Sequence, residues 1–123
     1  MTGTRTDLAY AVSVASRNLN SLTKDDVQVV KRIMRYIKGT IDHGIKYKPN
    51  CAPDLKCYSD ADHGGDVNTG RSTSVILCMF AGGAISWISK RQNVVAISST
   101  EAEIYAASET VTVRVSLNGF FRI

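Results

Sequence analysis

Residues 55–74, LKCYSDADHGGDVNTGRSTS, place Asp60, Asp62 and Asp66 within seven positions, and Glu101 and Glu103 follow further along. Neighbouring carboxylates repel one another, so packing alone does not select such a cluster. Their natural chemistry is hard-cation binding through oxygen ligands. Two such cations about 3.5–4 Å apart activate water and stabilise the leaving oxygen in phosphodiester hydrolysis. An Asp at the end of a buried strand and a Glu in the first turns of a helix crossing that sheet can be aimed at one place, and Asp60 and Glu103 suit those two roles. Glu101 and Glu103 stand about 200° apart on a helix of ~3.6 residues per turn, so only one can face the sheet. Spacing leaves a structural reading open: acids favour a first helical turn, and Asp62 and Asp66 are ordinary turn residues. A calcium loop beginning at Asp60 fails, because its twelfth position is Arg71, where a bidentate Glu is required. His63 adjoins the acids and has the chemistry to ligate a metal or move a proton, but no spacing supports that use.

These carboxylates need a strand and a helix to hold them. Leu55 to Ala61 alternates Leu55, Cys57 and Ser59 against Lys56, Tyr58 and Asp60, a strand pattern. STSVILCMFA (72–81) and AISWIS (84–89) are two further strands, and Gly82-Gly83 between them signals a hairpin. SSTEAEIYAASET opens a helix, with Ser98 or Ser99 as its cap. Upstream, Leu8, Ala11, Val12 and Ala15 mark a short helix over 7–18. Thr23 to Asp26 reads as a capping box with Asp in place of Glu. The helix Lys24–Lys38 carries the apolar stripe Val27, Val30, Met34 and Ile37 and a basic stripe of Lys24, Lys31, Arg35 and Lys38, with Gly39 as its C′ glycine. IDHGIKYKPN (41–50) reads as a short strand, and the turn-rich PNCAPD places a boundary there. The expected organisation is therefore a helical segment, 1–50, and an α/β segment, 51–123.

Apolar residues make up 44% and charged residues 21% of the 123 residues, a globular composition. Residues 1–50 hold nine Lys/Arg against four Asp/Glu, for +5; residues 51–123 hold six against seven, for −1. A basic half beside a half with clustered acids fits a polyanion partner and a cation site. Cys51, Cys57 and Cys78 include no C-x-x-C pair, so free thiols in a reducing compartment are expected. No signal peptide or membrane-spanning run is evident, so an intracellular protein is expected.

RTDLAYAVSVASRNLN, VKRIMRYIKGT, YSDADHGGD, GRSTS, GGAISWISKRQ and AISSTEAEIYAASE occur in this order and at close spacing. Together, over residues 4–109, they resemble copia-type retrotransposon Pol polyproteins, at the end of the reverse transcriptase and the start of the ribonuclease H domain. The resemblance implies an incomplete ribonuclease H-like α/β fold (antiparallel strand, hairpin, strand, then helix), preceded by two helices of the reverse transcriptase tail. Asp60 then matches the first catalytic, metal-binding aspartate and Glu103 the catalytic glutamate. Asp62 and Asp66 belong to the copia-type strand end without a core catalytic role.

An intact parent would cleave RNA in an RNA–DNA hybrid with two Mg²⁺ or Mn²⁺ ions, in the cytoplasm, a virus-like particle or the nucleus. Its partners would be nucleic acid and the remainder of the polyprotein. The family's third catalytic aspartate, on a fourth strand, and the polymerase Y-x-D-D motif are not in this sequence, so weak or no Mg²⁺ binding and no turnover are expected of this chain. Two alternatives stand beside that reading: a non-catalytic nucleic-acid binder using the basic helix, with Lys90 and Arg91 as further contacts, or a functionless relic. The chain departs from the family in Thr6 of Arg5-Thr6-Asp7, in Val75, and in the tail TVTVRVSLNGFFRI. That tail's β-branched residues and Asn118-Gly119 disfavour helix.

Overall fold

The computed structural model describes residues 3–50 and 54–121, the side chains of Asn18 and Phe121 aside. The chain divides into two compact units, Met1–Ile45 and Lys46–Ile123. In the first, a 3-10 turn (Thr6–Leu8) leads into α1 (Ala9–Ala15), a second 3-10 turn (Ser16–Asn18) follows, and α2 spans Lys24–Gly39. The Thr23–Asp26 capping box forms: the Asp26 N–H donates to Thr23 Oγ1 at 3.2 Å, and the Thr23 N–H donates to Asp26 Oδ2 at 2.8 Å. The helix ends differently from expectation. Gly39 is helical, and the stop is Thr40, whose N–H donates to the Ile37 carbonyl at 3.1 Å and whose hydroxyl donates to the Tyr36 carbonyl at 2.7 Å.

Thr40 also meets the chain's beginning. The Arg5 guanidinium donates to both Asp7 oxygens at 3.0 and 2.8 Å, and to the Thr40 carbonyl and hydroxyl at 3.0 and 2.7 Å. It lies 5.8 Å over the Tyr36 ring, whose hydroxyl donates to Asp7 at 2.8 Å. The bidentate pair fixes geometry as well as charge. Leu8 is buried, whereas no residue of α2 is. This polar clamp, more than a core, joins the start of the unit to the end of α2.

The expected strand over 41–50 does not form. Its residues make isolated bonds instead: the Lys48 N–H donates to the Ala81 carbonyl and the Tyr47 hydroxyl to the Ala84 carbonyl, both at 2.8 Å. These bonds put Tyr47 and Lys48 in the second unit, so the division falls before residue 46 rather than at 50.

The second unit is a three-stranded antiparallel sheet in the order β1 (Lys56–Ala61), β2 (Thr73–Phe80), β3 (Gly83–Arg91), followed by α3 (Ser99–Phe121). The β2–β3 turn is centred on Ala81-Gly82, one residue before the expected pair. Both have positive φ, 50° and 78°, the two-residue geometry that matches the twist of the flanking strands. Residues paired across strands share a face, so Cys57, Ser59 and Ala61 lie with Cys78, Ile76 and Ser74. On that face Leu55, Ile76 and Cys78 form the core, and Val113 and Leu117 of α3 pack against it. Lys56, Tyr58 and Asp60 lie on the other face, with Met79, Leu77 and Val75.

Two further expectations are corrected. Cys57 and Cys78, opposed in register with Cα atoms 4.1 Å apart, form a disulfide rather than free thiols; Cys51 lies outside the described residues. The tail stays helical through Asn118-Gly119 to Phe121. A β-branched residue costs a helix at most about 0.7 kcal/mol, whereas burying half a Val or Leu side chain contributes about 1 kcal/mol. The hydroxyls of Thr110, Thr112 and Ser116 bond back to the carbonyls of Ala106, Ser108 and Thr112 within the helix. Among the described residues no helix is long and apolar enough to cross a membrane.

The clamp makes the first unit sensitive to acid. The hydrogen bonds from Arg5, then the Tyr36 hydroxyl, hold the Asp7 carboxyl well below its ordinary value of 3.8. A depressed native value means that this stabilisation is complete above the unfolded value and is lost as pH falls through the native one. Helix content followed by circular dichroism is therefore expected to fall as the pH is lowered below about 4, and Asp7→Asn is expected to remove that part of the acid dependence.

Candidate functional site

Three aspartates enter the loop after β1, and the structure gives two of them structural work. The Asp62 N–H donates to the Thr73 carbonyl at 3.2 Å, and its carboxylate accepts the Thr73 N–H. The chain folds back so tightly there that a Cβ on Gly65 would collide with the Asp62 carboxylate. Asp66 is buried. Its carboxylate accepts from the Thr69 hydroxyl at 2.7 Å, the Asn68 N–H at 3.3 Å and the Arg91 guanidinium. Its carbonyl accepts the N–H groups of Thr69 and Gly70 at 3.2 and 2.7 Å. The hydrogen bond from Thr69, then that from Arg91, lowers the Asp66 pKa to about 2. His63 is occupied as well: Nε2 stands 3.2 Å from the Ala96 carbonyl.

Asp60 has no such employment. It is exposed near the end of β1, paired with Val75, and among the described residues its carboxylate accepts only the adjacent Ala61 N–H at 3.0 Å. On α3, Ser98 caps the helix by accepting the Glu101 N–H at 3.1 Å, and the Glu101 carboxylate accepts the Ile97 N–H at 2.7 Å. Glu101 is thus held at the helix end. Glu103 is exposed, one position past the buried Ala102. Asp60 leaves β1 on the face opposite α3, and no hydrogen bond joins it to Glu103. Among the described residues no group of three or more His, Cys, Asp or Glu side chains is placed to hold a metal ion.

The residue that sequence reasoning missed is Gln92, buried where β3 ends. Its N–H donates to the Ser72 carbonyl at 2.8 Å, and its side-chain amide donates to Ser74 Oγ at 3.0 Å and the Ala102 carbonyl at 2.9 Å. It ties α3 to the β2 and β3 ends beside Asp60. Its only sequence signal is a polar residue closing the strand run SKRQ.

The basic candidates separate into two sets. Lys90 is ion-paired with Glu109 at 2.7 Å, and Arg91 with Asp66. Lys24, Lys31, Arg35 and Lys38 are exposed along α2, and among the described residues none is in an ion pair.

Against known proteins, the chain is 46% identical over 110 residues to the retrovirus-related Pol polyprotein from transposon TNT 1-94 of Nicotiana tabacum, covering 89% of this chain. It is 42% identical over 107 residues to that from transposon RE2 of Arabidopsis thaliana. The chain matches a segment of retrotransposon Pol polyproteins. It spans only 8% and 7% of those two Pol polyproteins. It covers 77% of a shorter relative, secreted RxLR effector protein 161 of Plasmopara viticola, at 44% identity. No protein-family model and no solved structure matches the chain.

In this Pol fragment the three aspartates should respond differently to substitution. Asp66→Asn leaves Arg91 without its partner and is expected to lower Tm by ~5–10 °C. Asp60→Asn, at an exposed site, is expected to shift stability by no more than about 0.5 kcal/mol. Thermal melts of the two variants check both outcomes.

Proposed function

We propose that this Pol fragment joins the tail of the reverse transcriptase to the N-terminal half of a ribonuclease H domain, and that its intact parent hydrolyses the RNA strand of RNA–DNA hybrids. The observation that carries the proposal is the state of Asp60. Of the three clustered aspartates it alone is exposed and free of a structural bond to another segment. It is also the residue that matches the family's first catalytic aspartate. Glu103 is likewise the free member of the pair Glu101 and Glu103. In the parent Asp60 would contribute to a divalent-metal site, in which Mg²⁺ or Mn²⁺ supplies the activation of water, and Glu103, on the helix across the sheet, would join it only where the rest of the domain turns it toward the end of β1. The remaining ligands would come from the polyprotein beyond this piece, since residues 110–123 contain no acid. The chain's own part is to hold Asp60 at the strand end and Glu103 in the first turns of α3.

A second reading rests on the stripe Lys24, Lys31, Arg35 and Lys38. Four cations along one side of α2, none in an ion pair among the described residues, fit contacts to successive phosphates of a nucleic acid, independent of sequence and sensitive to salt.

Two measurements separate the readings. Incubation of the purified chain with a labelled RNA–DNA hybrid and Mg²⁺ or Mn²⁺ is expected to give no cleavage above background. Cleavage abolished by both Asp60→Asn and Glu103→Gln would show that the chain completes the site by itself or with a second copy. Hybrid binding across a salt series is expected to weaken with a log–log slope of up to about −4 if all four cations contact phosphates. Binding that survives reversal of Lys31 and Arg35 to Glu removes the second reading.

A further inference from the structure

Cys57 of β1 and Cys78 of β2 oppose each other in register, with Cα atoms 4.1 Å apart. That is the close spacing of a non-hydrogen-bonded antiparallel pair, whose side chains approach most nearly. Cys78 is fully buried with Leu55 and Ile76, and Cys57, Val113 and Leu117 pack against that cluster.

Two features set this bond apart from a crosslink on which the fold depends. The strands it joins are already paired, from Lys56 opposite Met79 to Ala61 opposite Ser74. Its surroundings are apolar, and a free cysteine behaves as a small hydrophobe, so the same site accommodates two thiols as well as one disulfide. What the bond changes is the segment between its ends. Cys57 and Cys78 are 21 positions apart, and the ring they close contains Asp60, Asp62 and Asp66. Within that ring the Asp62 N–H donates to the Thr73 carbonyl at 3.2 Å, the Asp66 N–H to the Arg71 carbonyl at 3.1 Å and the Gly70 N–H to the Asp66 carbonyl at 2.7 Å.

We propose that Cys57 and Cys78 are a reversible thiol–disulfide switch on the acidic loop. In the oxidised state the loop is part of a covalent ring, which restricts the conformations it gains on opening. In the reduced state the strands stay paired and the loop opens more freely. The couple that drives the change is a low-molecular-weight thiol and its disulfide, such as glutathione. One cysteine thiolate attacks glutathione disulfide, forming a mixed disulfide and releasing one glutathione thiolate. The other cysteine thiolate then attacks the protein sulfur of that mixed disulfide, and the second glutathione leaves. Two cysteine thiols and one glutathione disulfide thus give one protein disulfide and two glutathione thiols, and reduction is the reverse. The switch acts through the ring and does not depend on whether Asp60 binds a cation.

The test is a redox titration of the whole chain in glutathione buffers at fixed pH, from fully oxidised to fully reduced. Free thiols are trapped by alkylation and assigned by peptide mass spectrometry. Cys57 and Cys78 are expected to pass together between a bonded pair and two thiols, with the same midpoint from either direction. Circular dichroism is expected to show the same helix and sheet content at both ends. Cys51→Ser, which removes the third cysteine of the chain, is expected to leave the midpoint unchanged. Amide hydrogen exchange at the two ends reads the loop. On reduction the N–H groups of Asp62, Asp66 and Gly70 are expected to exchange roughly ten- to a hundredfold faster, while that of Val27, in α2 of the first unit, keeps its rate. A pair that stays bonded, or stays reduced, across the whole range would overturn the proposal. So would a reduced chain that loses its fold, a midpoint that needs Cys51, or equal exchange of the three loop amides in both states.

Discussion

One buried amide positions the candidate site. The Gln92 side chain donates at once to Ser74 on β2 and to the carbonyl of Ala102 in the first turns of α3, while its main chain closes onto Ser72. Ala102 and Ala106 press against the sheet with no side chain long enough to fix the helix along its axis. Apolar contact is non-directional, so it brings α3 to the sheet without setting its register. The hydrogen bonds of Gln92 supply that register, and with it the place of Glu103 relative to the end of β1.

The acidic cluster is a case of like residues with unlike work. Asp66 is held by Thr69 and Arg91, Asp62 by the Thr73 main chain, and Glu101 by Ile97 at the cap. Each carboxylate engaged in this way lowers the mutual repulsion that makes the cluster improbable, and Asp62 and Asp66 hold the turn that leads to Ser72, whose carbonyl meets Gln92. The stretch YSDADHGGD thus combines one exposed carboxylate with several residues that shape the loop around it.

What is local in this fold is legible in the sequence. The Thr23–Asp26 capping box, the stripes of α2, the alternation of β1 and the Ser98 cap all depend on residues within one or two turns of each other, and the structure contains them. What depends on distant partners is not legible. Thr40, not Gly39, stops α2. The segment 41–50 has strand-like composition but only isolated hydrogen bonds to the hairpin end. The tail of α3 has poor helical propensity and is helical because Val113 and Leu117 meet the core. In the candidate site, the sorting of the acidic neighbours of Asp60 and Glu103 required Arg91, Thr69 and Ile97, which no spacing rule connects to them.

The order of the sheet has a kinetic consequence. Every strand pair is antiparallel and joins neighbours in the sequence, β1 to β2 and β2 to β3. Each of these pairings joins strands adjacent in the sequence, so the loop-closure entropy of each is small. The Ala81-Gly82 turn, already bent in the hand that the strands need, makes the β2–β3 hairpin the cheapest element to close. During synthesis the sheet can therefore assemble as the chain emerges, with α3 docking last onto a surface already formed.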